Sequence, residues 1–259
     1  MKHRKGFTLI ELLIVIAIIA ILLTLLAPAL SKAKDAAKQA LCMVNQRGLS
    51  SAWVMYADDN KGRLCSPRPG GGADPIDREC AWIFWDAGWP WPNQWTPDQW
   101  EFSILQGALW PYTGQIKGIY RCPSGELDEQ ITYAGFASMG WKVPLNRSWD
   151  GEIYQKISNI PQPTERAVYI DEGRLTSDFY SVSYNSEIWI DQPPNRHNEG
   201  VTMSFADAHA EYWKWQDPRT IEMCRMTWDE FVKNWQLVDC PDNDDLTKIR
   251  LTAWGNLEP

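Results

Sequence analysis

KGFTLIELLIVIAIIAILLTLLAPAL, residues 5–30, decides the architecture of this chain. No charge falls between Leu12 and Leu30, and about 19 residues at 1.5 Å each reach roughly 28 Å, the hydrocarbon thickness of a bilayer. Such a run is longer than the apolar core of a removable export signal. Lys2, Arg4 and Lys5 stand just before it, and a basic flank stays on the cytoplasmic side. The expected topology is therefore a single-pass anchor, N-in and C-out, with the other 200-odd residues outside the cytoplasm.

Glu11 needs a reason. An isolated carboxylate inside an apolar span costs at least about 2.5 kcal/mol. Gly6-Phe7-Thr8-Leu9-Ile10-Glu11 resembles the processing signal of type IV prepilins and pseudopilins. The resemblance implies cleavage between Gly6 and Phe7 by a prepilin peptidase, N-methylation of Phe7, and a mature chain whose fifth residue is Glu11. It further implies that Glu11 pairs with the N-terminal amine of a neighbouring subunit, which offsets its burial, and that Pro28 is the helix-loosening proline of the family. The head then faces the periplasm of an inner-membrane protein and reaches the surface in an assembled filament.

Beyond the anchor there is enough chain for one domain with a full core. Of 25 Lys/Arg and 33 Asp/Glu, residues 1–47 hold seven and two, so the remainder is strongly acidic. That argues against a nucleic-acid partner, whose phosphates need a basic face. Six cysteines, at 42, 65, 80, 122, 224 and 240, sit where the topology places an oxidising compartment, so disulfides are expected. Six cysteines allow 15 complete pairings. Cys224–Cys240 is the first choice for a bridge, and zinc is the rival reading, weakened by the lack of a Cys-x-x-Cys pair.

Past the membrane, Ala33, Ala37, Leu41, Val44, Gly48, Ala52 and Met55 recur at steps of three and four, the stripe of an amphipathic helix. Asn60 and Gly62 supply the stop. A helix of roughly 50 residues, on the order of 75 Å, must bury the outer half of this stripe against a globular head. A second resemblance lies here. CMVNQRGLSSAWVMYADDNKGRL, SILQGALWPYTGQIKGIYRCPSGE (a short helix, then a strand) and RHNEGVTMSFADAHAEYWKW are similar, in that order, to the blocks of proteins with a prepilin-type processing-associated H-X9-DG domain. His197 and Asp207 keep the defining spacing, with Ala208 where that family has Gly. The fold expected is pilin-like α+β, a long N-terminal helix packed on an antiparallel sheet. The division is a leader at 1–6, a long helix at 7–60 with its membrane and assembly part at 7–30, a head at 61–215 with a Trp-rich insertion at 67–110, and a C-terminal extension at 216–259.

Val201–Phe205 and Ala210–Trp215 read as a hairpin. An Asp-Gly turn uses Gly to reach positive φ, so Ala208 strains this one by about 1 kcal/mol or changes its type. His197, Asp207, His209 and Glu211 are ligand-type residues, which makes His197, Asp207 and His209 weak metal candidates. The more economical reading is structural: Asp207 accepts turn amides and His197 ties the preceding loop to the hairpin. Asp58-Asp59-Asn60 lacks the spacing of a calcium loop and reads as a solvated helix end. Gly70-Gly71-Gly72 precedes no helix and reads as a loop. Hydrolase, metalloprotease and phosphate-loop motifs are missing, so neither an enzyme nor a cofactor is expected.

Seven of 16 tryptophans (82, 85, 89, 91, 95, 100 and 110) fall within residues 82–110, among prolines and without a sustained period. They are either core or platforms for sugar rings. The glycan reading uses Trp82, Trp85, Trp89, Trp91 and Trp95. Near the end, Thr227–Trp235 reads as a capped helix, Cys240–Asp245 as an acidic turn and residues 246–254 as a strand. Two functions stand: a structural subunit of a type IV pilus-like filament or type II secretion pseudopilus, whose partners are prepilin peptidase, the membrane and copies of itself or other pilin-like subunits; or a membrane-anchored surface protein that binds glycans and uses the signal for export.

Overall fold

The structure, a computed structural model, describes residues 8–70, 80–85, 89–90, 94–125, 129–140, 151–173 and 179–257. The helix α1 runs Leu9–Asp59, 51 residues, or about 76 Å. Thr8 caps it, and Pro28 lies inside without ending it. At the far end the Asn60 amide donates to Tyr56 and Ala57 carbonyls, and Gly62, at φ +77°, carries the chain away. The expected stop is where the helix stops.

Its two halves differ. From Leu9 to Leu30 the large apolar side chains are exposed, and the stretch is long and apolar enough to cross a membrane. From Cys42 onward one face is buried: Cys42, Gln46, Leu49, Ser50, Ala52, Trp53, Tyr56 and Ala57. This face shares Ala52, and in part Gly48, with the stripe the hydropathy indicates, but not its large side chains. Leu41, Val44 and Met55 are 50%, 59% and 52% exposed. The seam is turned from them because much of it is polar. The Gln46 amide donates to the Thr202 carbonyl (2.9 Å) and hydroxyl (3.2 Å), and the Ser50 hydroxyl donates to that of Ser204 (2.6 Å).

The sheet under α1 has four antiparallel strands in the order β1 (Tyr133–Gly135), β2 (Ala167–Asp171), β3 (Gly200–Phe205) and β4 (Ala210–Lys214). Thr202 and Ser204 alternate with Val201, Met203 and Phe205, so β3 gives a polar row to the helix and an apolar row to the other side. Tyr133 pairs directly with Asp171, which places both on one face. β2 carries a bulge between Ala167 and Tyr169. The architecture is α+β, as expected.

The short helix expected at the start of the 103–126 block begins earlier, inside the Trp-rich segment read as loop: α2 (Pro97–Gln106), with a Thr96/Gln99 capping box and proline in its first turn. After it the chain makes 3₁₀ turns at Trp110–Tyr112 and Lys117–Tyr120, where a strand was expected. Trp82, Trp95 and Trp100 are buried, and Trp85, Trp89 and Trp110 are half-buried against the same core. Trp95 meets Trp89 and Trp100 edge-on at 5.4 and 4.7 Å between centroids. Trp91 lies outside the described residues.

The C-terminal segment folds as α3 (Pro218–Cys224), α4 (Trp228–Asn234) and α5 (Asp244–Trp254). The Thr227/Glu230 capping box of α4 forms as read. Residues 246–254, expected as a strand, are helical: Asn243 caps them by accepting from the Leu246 amide (2.9 Å), and Leu246, Ile249 and Ala253 are buried at helical spacing. The segment is built into the head. The Trp254 indole donates to the Val182 carbonyl (2.9 Å), and Arg250 reaches the Ser183 and Tyr184 carbonyls.

Candidate functional site

Two places on the molecule carry groups that folding alone does not account for. The first is the start of α1. The Thr8 hydroxyl and amide both donate to the Glu11 carboxylate, at 2.8 and 2.9 Å, while the Glu11 amide donates back to the Thr8 hydroxyl at 3.3 Å. Glu11 is thus the N3 member of a capping box, and its carboxylate sits at the positive end of the helix dipole. Gly6 and Phe7 lie outside the described residues.

The second place is inside the head. Cys42 of α1, Cys122 of the loop before β1, Asp171 at the end of β2 and His197 just before β3 each aim one donor atom at a common point, all within 4.8 Å of one another. Cys122 Sγ is 3.2 Å from His197 Nε2. Asp171 Oδ2 is 3.4 Å from Cys42 Sγ and 3.7 Å from His197 Nε2. The imidazole is 2% exposed and the carboxylate fully buried. Cys42 Sγ also meets the Tyr133 and Thr202 hydroxyls, at 3.2 and 3.0 Å.

Each donor is held from outside the cluster. The Cys122 amide donates to the Thr132 hydroxyl (2.8 Å), and the Ser124 amide donates to Cys122 Sγ (3.4 Å). Arg196 ties the loops together, donating to the Ser124 carbonyl (3.1 Å), the Gly173 carbonyl (2.6 Å) and Glu129 (2.7 Å), with its Nε 3.9 Å from Asp171 Oδ1. His197, Asn198 and Glu199 are all left-handed, at φ +54°, +66° and +58°. Arg196 and Gly200 close this loop by mutual backbone hydrogen bonds, and Tyr212 donates to the His197 carbonyl. Non-glycine residues in that region each cost on the order of 1 kcal/mol, and here the outcome is an imidazole turned inward.

Electrostatically the cluster is unsettled. Burial pushes the Cys42 thiol up, while the hydrogen bond from Cys42 pulls Cys122 down despite its own burial. Burial, then the charge of Cys122, hold the Asp171 carboxyl well above the ordinary carboxylate range. Among the described residues, Asp171 Oδ1 has no hydrogen-bond partner.

The residues expected to act with His197 are elsewhere. Asp207 and His209 close the far end of β3, five or more residues away, which is about 17 Å along a strand. There Asp207 accepts from the His209 amide (3.1 Å) and ring, and His209 stacks on Phe205 at 4.3 Å. Asp207 and His209 form a turn, while His197 belongs to the buried cluster, so they are not one site. Ala208 takes the left-handed conformation, φ +69°, with its amide donating to the Phe205 carbonyl (2.9 Å). Cys224 and Cys240 stand as separate buried thiols, and so do Cys42, Cys65 and Cys122. Sequence reasoning missed Cys42, Cys122 and Asp171 as partners of His197. The visible signal was Cys-Pro-Ser-Gly at 122–125, a tight turn that can point amides at a sulfur.

The chain matches the model of the prokaryotic N-terminal methylation motif over residues 1–27. No curated protein and no solved structure matches it. The chain therefore carries a type IV pilin-like export signal, ahead of a helix able to anchor it in a membrane.

Proposed function

We propose that the protein is a structural subunit of a type IV pilus-like filament or a type II secretion pseudopilus, cut between Gly6 and Phe7 by a prepilin peptidase, methylated on Phe7 and assembled through α1. One observation carries this: the methylation motif leads into an apolar half-helix whose side chains are exposed from Leu9 to Leu30. About two dozen residues of that character need lipid or like helices around them. The positive-inside bias supports a head held in the periplasm until assembly. The order of the 42–64, 103–126 and 196–215 blocks supports placement with the H-X9-DG prepilin-like proteins. The glycan-binding alternative needs exposed indoles; with Trp82, Trp95 and Trp100 buried and Trp85, Trp89 and Trp110 half-buried against the core, the described rings lend it no support.

Glu11→Gln tests the mechanism. Glutamine keeps a capping box but has no charge to offer a neighbour's amine. Processing, insertion and the head's melting temperature should stay as in wild type, while incorporation into polymer falls several-fold. Polymer yield equal to wild type would sink the assembly role of Glu11. N-terminal sequencing that finds Met1 intact in membranes would sink the processing.

A further inference from the structure

We propose that Cys42, Cys122, Asp171 and His197 form a closed, four-coordinate structural zinc site that fastens the outer half of α1 to the head. Zinc bonds of about 2.3 Å to sulfur and about 2.0–2.1 Å to nitrogen and oxygen put tetrahedral ligand atoms roughly 3.3–3.8 Å apart. Three of the six separations here are 3.2, 3.4 and 3.7 Å, and all six lie within 4.8 Å, so small shifts of the side chains would close them on an ion. Each ligand comes from a different element, so the geometry exists only in the folded head.

The donor chemistry selects the ion. Two thiolates favour a soft or borderline cation over magnesium or calcium, and imidazole with carboxylate completes a set common for zinc. Charge points the same way. Two thiolates and one carboxylate bring three negative charges; a divalent ion offsets two of them, and Arg196, shared between Glu129 at 2.7 Å and Asp171 at 3.9 Å, lies beside the third. Without a cation the protein buries a carboxylate beside two sulfurs, with one oxygen that accepts no hydrogen bond among the described residues. With one, that arrangement has a cause. The surroundings are those of a tuned metal site: an amide on Cys122 Sγ, hydroxyls on Cys42 Sγ and an arginine behind the carboxylate. Four protein ligands leave no open position, so the site is structural. The consecutive left-handed residues that turn His197 inward fit backbone strain kept for a ligand.

The rival is a Cys42–Cys122 disulfide, which an oxidising compartment permits. Full-length protein, extracted from membranes in detergent and purified without chelator, decides between them. Metal analysis should find about one zinc per chain, and cobalt exchanged into the site should give an intense thiolate-to-metal absorption. Cys122→Ser and His197→Gln should each lose the zinc and the cobalt band, whereas Cys224→Ser, away from the cluster, should keep both. A strong chelator should lower the melting temperature of the wild type and leave that of His197→Gln unmoved. Protein free of metal after incubation with zinc under reducing conditions would overturn the proposal. So would a native peptide map in which Cys42 and Cys122 are joined, or zinc kept by both ligand variants. None of these readings depends on filament assembly, so the site and the structural role fail separately.

Discussion

Ala208 holds a left-handed backbone angle that glycine adopts without cost. Ala208→Gly should stabilise the head by about 0.5 kcal/mol, the relief of about 1 kcal/mol being partly offset by glycine's greater freedom when unfolded. Chemical denaturation of the detergent-solubilised protein measures this, and a lower midpoint would contradict it. His197 is the opposite case. Its angle is equally strained, but its ring is where the strain goes, so His197→Gly should lose more than it relieves. At this scale the sequence was half legible. The turn residue at 208 announces itself, because chirality fixes what alanine can do locally. Asp171 does not: it ends the buried run Ala167–Ile170, and only the antiparallel pairing of β2 with β1 and the docking of α1 place it beside Cys42. Spacing coupled His197 to Asp207, and the length of β3 holds them apart.

Among the elements, α1 shows why hydropathy found the helix and chose the wrong face. Periodicity is local, so the helix and its end were readable. The buried face is set by what the sheet offers, and β3 offers Thr202 and Ser204, which Gln46 and Ser50 satisfy and leucines would not. Trp53, buried at the same seam, should be the costly position: Trp53→Ala should destabilise by about 3–5 kcal/mol. Leu41→Ser with Val44→Ser, on the exposed flank, should change head stability by less than about 0.5 kcal/mol each and still reduce assembly if that flank meets neighbouring subunits. Thermal melts beside polymer yields separate the two effects. At the N-cap of α3, Asp217 accepts from the Arg219 amide (2.8 Å) and guanidinium (2.7 Å). The arginine's hydrogen bond holds the Asp217 carboxyl below the ordinary range, with burial opposing. A lowered folded pKa stabilises above the unfolded value of about 3.9, and the gain is lost as pH falls from there through the folded value. Wild type should therefore lose its margin over Asp217→Asn only below about pH 4; a margin that vanishes nearer neutrality would contradict this.

For the whole molecule, the C-terminal helices belong to the core, since Leu246, Ile249, Ala253 and Trp254 are buried in it. A chain ended after Trp215 should fail to give a protease-resistant head, with limited proteolysis as the readout. Composition and the N-terminal signal made the general plan legible, a long helix and an antiparallel sheet. They could not place residues 246–254, whose apolar spacing fits a short strand or a helix until Asn243 is seen capping it. The hydrogen-bonded seam between α1 and β3 has a further effect. Rolling the helix by one residue turns it about 100° and would present Ser51 or Arg47 where Ser50 and Gln46 now meet the strand. The head is therefore keyed to the membrane rod at one azimuth. If rods pack side by side in a polymer, their bearing about their own axes decides which surface every head shows outward, and any rotation applied to a rod reaches its head without slip.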